Sequence, residues 1–462
     1  MAFDVLIRGG EVGSSKEVRR LDVGISGERV AALLEPGHDL TGNTEIDATG
    51  KYVLPGGIDP HTHIEWPFGN EKARDTFYSG TAAAAIGGTT TVVDFIPVPR
   101  GQSLLAGADH RMKLAAGNAV TDYSFHPILN SSSPPVMAEV PQLVRDGHAS
   151  FKIYTTYAEN RLDDGEQWLA IEAISRAGGL PGFHAENHEL IERLTRDLVA
   201  EGRTTIADFP RSRPAEAEAE AVRTVAYFAR RLDSPVYIYH LSGGVALESL
   251  LEMRANGSKV RAETCTHYLS FDDSVFTGPE AWRFVITPPI RDAASQDRLW
   301  RGVSERSLSA VASDHCAYGR DHKSIGFDDY TKLPAGAPGI GARLPLTWSR
   351  GVATGRVSVP DFVHLTSTGP ARTLGLYHRK GRIYPGSDAD IVVIDPRVEW
   401  RFPADVPDPG SDYSLYGGLE VKGRPVLTMV RGVVIARDGE LVGAPGAGKH
   451  VPQVIDERAW RH

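Results

Sequence analysis

Between residues 57 and 315 the sequence alternates eight times between a short apolar run and a helix-length stretch. Strands joined by helical crossovers pair in parallel, so the alternation predicts a parallel sheet or barrel. The candidate strands are 57–61, 89–98, 122–129, 149–157, 182–186, 236–242, 259–269 and 308–315. Helical stretches fall between them, among them 76–86, 166–177, 190–200, 215–231 and 245–254. Residues 215–221 alternate Ala and Glu, yet Pro214 before them and apolar residues after them mark the first turns of an ordinary helix. Eight such units over this length predict an α/β chain with a (β/α)8 TIM-like barrel, in preference to a doubly wound open sheet. Outside this region the pattern changes. Residues 4–8, 20–26 and 29–34 read as short strands punctuated by glycines, and 389–394 and 425–430 look the same.

Composition narrows the function classes. At 462 residues the chain exceeds one compact core, so a large domain plus a smaller one is expected. A formal net charge of -9 leaves no basic footprint for nucleic acid or an anionic membrane. Two cysteines, Cys265 and Cys316, supply no disulfide framework. The N-terminus lacks an apolar signal region, and no apolar run is long enough to span a bilayer. A soluble, cytoplasmic protein is expected.

The chemistry sits at the predicted strand ends. His61 and His63 are two apart, so on a strand they face one point, and imidazole suits zinc and neighbouring transition metals. A His-x-His pair alone is weak; two incidental histidines would look the same. However, Lys152 lies in the fourth strand, His184 ends the fifth, His240 the sixth and Asp314 the eighth. In a barrel the carboxyl ends of the strands converge on one face. Core filling accounts for Val, Ile and Leu there, not for groups that are costly to bury unpaired. Lys152, flanked by apolar residues, either snorkels outward or has a task. Four histidines and one aspartate leave too little negative charge for two divalent cations. A desolvated lysine has a lowered pKa, and its free amine can add carbon dioxide to become a bridging carbamate.

Several segments carry a resemblance over nearly the full chain. They are Gly56-Gly57-Ile58-Asp59-Pro60-His61-Thr62-His63-Ile64-Glu65-Trp66-Pro67-Phe68-Gly69, Gly87-Gly88-Thr89-Thr90, Ser150-Phe151-Lys152, His184-Ala185-Glu186-Asn187, His240-Leu241-Ser242, Glu263-Thr264-Cys265, Pro288-Pro289-Ile290-Arg291, Ser313-Asp314-His315-Cys316 and Gly386-Ser387-Asp388-Ala389-Asp390. The chain resembles the dihydropyrimidinase/hydantoinase branch of the amidohydrolase family. The resemblance implies a barrel (55–376) with a small β-sandwich built from both termini (1–54 and 377–440) and a C-terminal tail (441–462). It implies that His61, His63 and Asp314 bind one metal and His184 and His240 the other, most often zinc. Lys152, modified to N6-carboxylysine, would bridge them. A metal-bridging hydroxide would attack the cyclic amide of a hydantoin or dihydropyrimidine. Asp314 would serve as base and then acid, and Tyr157 would hydrogen-bond the oxyanion. Backbone groups at Thr287 and Ala335 would hold a small cyclic amide or ureide, and a homotetramer is the expected assembly.

This sequence also departs from the branch. Thr287 stands where relatives have a serine before Pro-Pro, and Ala335 where they have an asparagine. Gly341-Ala342-Arg343 replaces a Glu before Thr-Arg. Glu65, followed by Trp66-Pro67-Phe68, is by contrast as in the branch, at the position where dihydroorotases carry arginine and allantoinases asparagine. The ring substituent therefore stays open, as do two alternatives: a non-catalytic structural or signalling relative, and an allantoinase or other cyclic imide hydrolase. Cys316 reads as a small buried thiol rather than a nucleophile. His188, His267 and His315 read as supporting groups, and Gly87 and Gly88 as turn punctuation.

Overall fold

The computed structural model describes residues 3–403 and 410–460. The chain opens with β1 (Phe3–Gly13), β2 (Val18–Ser26), β3 (Arg29–Leu34), β4 (Gly42–Asp47) and β5 (Tyr52–Pro55). The barrel begins at β6 (Gly57–Thr62), after which β7 (Pro67–Phe68) and β8 (Glu71–Lys72) form a small hairpin. It continues through β9 (Thr89–Ile96), β10 (Asp122–Pro127), β11 (Ser150–Tyr154), β12 (Leu180–His184), β13 (Val236–Ile238), β14 (Val260–Cys265) and β15 (Ala310–Ala312). The chain returns to the terminal sheet with β16 (Ile391–Arg401), β17 (Glu420–Val430), β18 (Val433–Arg437) and β19 (Glu440–Leu441).

Strands β6, β9 and β10 pair in parallel, as do β11 to β15 in order. Two seams join these arcs. The Leu129 amide donates to the Lys152 carbonyl at 2.8 Å, and the His63 amide to the His315 carbonyl at 2.7 Å. The result is a closed barrel of eight parallel strands. Every residue of β6, β9, β10, β11 and β12 is buried, as expected of strands covered by crossover helices on one side and packed against each other on the other. At Gly182 on β12 an added Cβ would lie 2.5 Å from the Tyr239 ring, so a residue without a side chain lets that ring pack inside the barrel.

The crossover helices start with local chemistry that the sequence supplies. Helix Asp164–Arg176 is capped by Asp163, whose carboxylate accepts from the Glu166 amide while Glu166 accepts from the Asp163 amide. The Ala/Glu run opens helix Ala215–Arg231, with Glu216 and Glu218 in its positive first turn. Helices Leu104–Ala115 and Ala293–Ser304 add two crossovers not singled out in the sequence.

The terminal strands form one nine-stranded sheet in the order β19-β18-β17-β16-β5-β1-β2-β3, with β4 pairing β1 off that path. It curls round a core of its own that includes Ile7, Val23, Ile25, Val53, Ile391, Val393 and Met429. A buried charge cluster ties it to the barrel: Lys380 Nζ lies 2.5 Å from Asp122, 2.9 Å from Asp388 and 2.6 Å from Asp390. No helix among the described residues is long and apolar enough to cross a membrane.

Seven of the eight strands end earlier than their apolar runs suggested, and three of them stop short of a residue of the site. The run 149–157 is extended only to Tyr154, 236–242 only to Ile238, and 308–315 only from Ala310 to Ala312. Just beyond these ends Tyr157 (φ 69°), His240 (φ 39°) and Asp314 (φ 50°) take left-handed conformations, which stop a ladder. Such conformations cost energy in residues other than glycine, and here they cluster at one end of the barrel.

Candidate metal centre

At the carboxyl end of the barrel two clusters of ligand-capable atoms adjoin. In the first, His61 Nε2 and His63 Nε2 are 3.1 Å apart and lie 3.1 and 3.3 Å from Asp314 Oδ1. In the second, His184 Nδ1 and His240 Nε2 are 2.9 Å apart. Lys152 Nζ stands 3.4 Å from that His240 nitrogen, and the His61 and His240 ring centroids are 5.2 Å apart. All six residues named from the sequence therefore meet in one place. Their strands deliver them there because side chains at successive strand ends point inward at the same barrel rim.

Carboxylates outside these clusters set the direction of the lone pairs. Glu263 Oε1 sits 2.5 Å from His61 Nδ1, and Glu186 Oε2 2.7 Å from His184 Nε2. A carboxylate accepts from a ring N–H, so it fixes the proton on that nitrogen and leaves the other nitrogen's lone pair facing the centre. Without a cation, His61 Nε2 can meet Asp314 Oδ1 at 3.1 Å only by carrying a proton of its own, which the charge of Asp314 favours and which a metal ion would replace. Imidazole nitrogens converging on a carboxylate, with His61 and His184 held from behind by Glu263 and Glu186, is the donor arrangement that divalent metal ions take. The donor set fits such ions at both clusters.

Burial keeps these groups in metal-binding form. It pulls His63 down to about 3 and His184 to about 4, and holds His240 well below the ordinary imidazole value. His61 runs the other way: burial opposes its protonation, but the charges of Asp314 and Glu263 outweigh it. Asp314 is held well below the usual carboxylate range because the His61 charge and hydrogen bonds overcome its burial. Lys152 is 1% exposed, and burial lowers its ammonium to about 8 against the pull of Asp314 and Glu263. Its Nζ lies 4.2 Å from the Tyr239 ring centroid and 5.1 Å from that of Phe95, with no carboxylate salt bridge among the described residues.

A cavity of about 240 Å³ opens above these groups. Tyr157, Thr287 and Ala335 line it with His63, Lys152, His184, His240 and Asp314, and so do Trp66, Asn160, Ile286 and Tyr318. Tyr157 Oη is 2.5 Å from Thr287 Oγ1, and the Arg213 guanidinium carbon lies 5.2 Å from the Tyr157 ring centroid. Burial raises the Tyr157 hydroxyl to about 12, so it stays a donor. Glu65 does not line this cavity. One of its oxygens meets Lys72 Nζ at 2.6 Å, and the other accepts from the Phe77 amide at 3.0 Å.

Sequence reasoning missed the groups behind the centre. Glu263 and Glu186 stood inside matching segments without a role. Glu263 is remote from His61 in sequence, whereas Glu186 lies two residues after His184, the spacing that also joins His61 to His63, and could have been found by it. Arg213 Nη1 pairs with Glu186 at 2.5 Å, which keeps that buried carboxylate charged, at about 2. Asp59 Oδ1 accepts from the Ser313 amide at 3.1 Å and the His61 amide at 3.3 Å, fixing two of the contributing strands to each other. Its counter-charge is Arg343, buried with Nε 3.5 Å from Asp59 Oδ2. His315 bonds Asp75 at 2.9 Å, a supporting place. His267 differs: its Nε2 is buried without a partner among the described residues, and Cys265, His267 and Asp314 can bring ligand atoms within 4.8 Å of one another. Cys316 is a buried free thiol, and burial raises its pKa well above the ordinary value, which suits an inert side chain.

Comparison with known proteins shows what the chain as a whole is similar to. The sequence profile of the amidohydrolase family matches residues 52–131 and 295–435. A D-hydantoinase of Geobacillus stearothermophilus is 36% identical over 451 residues, 96% of each chain. A D-phenylhydantoinase of Escherichia coli is 39% identical over 408 residues, 88% of each chain. The crystal structure of a dihydropyrimidinase from Brevibacillus agri superposes with a TM-score of 0.94 at 36% identity, covering 98% of this chain and 99% of that one.

Proposed function

We propose, because the chain belongs to the amidohydrolase family, that it hydrolyses one ring amide bond of hydantoins or dihydropyrimidines at a binuclear metal centre. The observation that carries the reading is the meeting of His61, His63 and Asp314 at one point and His184 and His240 at the next, with Lys152 beside them under one cavity. His61, His63 and Asp314 would hold one ion and His184 and His240 the other, with zinc as the ion. Bound there, the ions would acidify a water molecule and polarise the ring carbonyl.

The chain's own residues do the rest. Asp314 accepts the proton of the attacking water and returns it to the departing ring nitrogen. Tyr157 donates to the carbonyl oxygen as charge develops on it, its hydroxyl held by Thr287. Backbone groups at Thr287 and Ala335 orient the ring. Lys152, as a free amine, could form an N–C bond to carbon dioxide and release a proton, and the resulting carbamate would supply the negative charge that the two ions need. The barrel, 55–376, carries all of this chemistry. A cytoplasmic homotetramer completes the reading, supported by resemblance and, for the compartment, by two free thiols.

The cavity lining carries no arginine, and its one lysine is committed to the centre, so an uncharged ring is the substrate. A panel of dihydrouracil, hydantoin, 5-substituted hydantoins, allantoin, succinimide and dihydroorotate, followed by ring-opening absorbance, tests this. Turnover of hydantoins or dihydrouracil with dihydroorotate a poor substrate is the expected result. Efficient opening of dihydroorotate alone would place the chain in another branch. Protein that binds no metal and opens no ring would make it a non-catalytic relative.

A further inference from the structure

At the amino-terminal end of the barrel, opposite the metal centre, lies a second cavity of about 1300 Å³. Arg261 at the start of β14, Ser309 just before β15 and the segment 454–459 line it, with Arg254, Arg306, Arg372, Arg382 and Arg458 around them. Six guanidiniums converge on one space, and Asp456 is the one acid in its lining.

Two of the six are neutralised. Arg306 pairs with Asp361 at 2.7 Å and Arg458 with Asp456 at 3.0 Å. The other four make no ion pair among the described residues. Arg254 donates to the Val260 and Ser307 carbonyls, and Arg261 to the Ala459 carbonyl while lying 4.6 Å from the Trp460 ring centroid. Arg372 and Arg382 crowd the same ring, with their guanidinium carbons 4.6 and 4.8 Å from the Tyr377 centroid. Arg382 Nε is buried with no acceptor among the described residues. Like charges drawn together around a half-enclosed space repel one another, and a buried donor left unmade costs free energy. The field also shows in His364 on the cavity wall: burial and then the charges of Arg306, Arg261 and Arg372 lower it to about 4.

We propose that this cavity binds a small polyanion, a molecule with at least two oxyanion groups, through Arg261, Arg372 and Arg382. Guanidinium forks match phosphate and carboxylate oxygens in pairs, and the volume exceeds that of a single anion. The Tyr377 face and the Val454, Ile455 and Ala459 side chains give an apolar wall for the body of such a ligand. Nothing in the ring-opening reaction uses these residues.

The test uses zinc-loaded enzyme and pyrenetetrasulfonate, a fluorescent polyanion that does not strip metal. Fluorescence anisotropy should show binding that weakens with salt. The double variant Arg372→Gln/Arg382→Gln should bind roughly a hundredfold more weakly, since each lost charge-assisted contact is worth about tenfold. Arg193→Gln, on an exposed helix face and paired with Asp197 at 2.8 Å, is the control that should leave binding unchanged. Thermal melting confirms that each variant is folded, and Arg261→Gln gives a second, independent loss. Displacement by tripolyphosphate marks a phosphate ligand and displacement by tricarballylate a carboxylate one; failure of both overturns the site. Equal weakening in the control variant would reduce it to nonspecific charge. An absence of wild-type binding, with the double variant sedimenting as a smaller species, would make the cavity a contact between copies instead.

Discussion

Glu263 and Glu186 act on the centre through other residues, by fixing which nitrogen of His61 and of His184 carries the proton. Glu263→Gln keeps a group that can accept from Nδ1–H but removes its charge. Metal affinity, measured by chelator competition, should fall about 10–100-fold with the fold intact. Asp314 is asked for more, as ligand and as proton carrier. Asp314→Asn should lower kcat at least ~10²-fold, the smaller end of a general acid–base contribution, while elemental analysis still finds much of the metal. A variant within a few-fold of wild type would move the proton transfer to another residue. Lys152 is buried without a salt-bridged acid among the described residues, and two bare dications so near would repel strongly. Lys152→Ala should therefore lose both metal and turnover. Lys152→Arg should fail as well, because guanidinium stays protonated and cannot take up carbon dioxide. Electron density beyond Nζ in zinc-loaded crystals decides the matter: a bare amine beside two ions in active enzyme would remove the carbamate.

The strands show how a side chain far from the reaction can govern it. Gly182 pairs with Lys152 on one side and Tyr237 on the other, and Tyr239 fills the space its missing side chain leaves. Gly182→Ala would overpack this layer, at a cost of about 1–3 kcal/mol. The expected result is a lower melting temperature together with reduced metal content, because Tyr239 would be pushed toward Lys152. Unchanged melting would mean that the layer has slack. The same strands show what could be read from the chain alone. Apolar runs with chemistry at their ends mark the barrel, because burial on both faces writes a continuous hydrophobic signal. The stopping points of β13 and β15 are invisible in that signal. His240 and Asp314 leave strand geometry through left-handed backbone conformations, which nothing in their flanking residues announces. Glu263, Asp59 and Arg343 are equally silent, since a buried carboxylate or guanidinium looks like any other until its partner arrives from a distant segment. Glu65 shows the opposite limit: a residue that separates branches by sequence sits against Lys72 and a helix start, outside the cavity.

Across the whole molecule, burial of neutral histidines couples stability to acidity. His63 and His126 are lowered to about 3, and His184 and His267 to about 4, in each case first by burial. An unfolded chain protonates each of them near 6.5, whereas the folded protein resists until far lower pH. Above 6.5 both states are neutral and these groups add no pH dependence. Below it the unfolded state binds more protons, so stability is lost as pH falls, by about 1.4 kcal/mol per unit for each such histidine. Glu186 adds to the loss between its ordinary value and about 2, its carboxylate being stabilised when charged by Arg213 and His184 against the cost of burial. His61, raised by Asp314 and Glu263, offsets part of it. At pH 5 the four histidines together cost on the order of 8 kcal/mol before that offset, comparable with the whole stability of a folded domain. Metal-free protein should therefore show a melting temperature nearly flat above pH 7 that drops steeply from pH 6.5 towards 5. Zinc-loaded protein should keep its melting temperature to lower pH, since ions at His63 and His184 compete with protons, and should then release metal and stability together. A metal-free melting temperature that stays flat to pH 5 would show that these histidines are charged in the folded barrel.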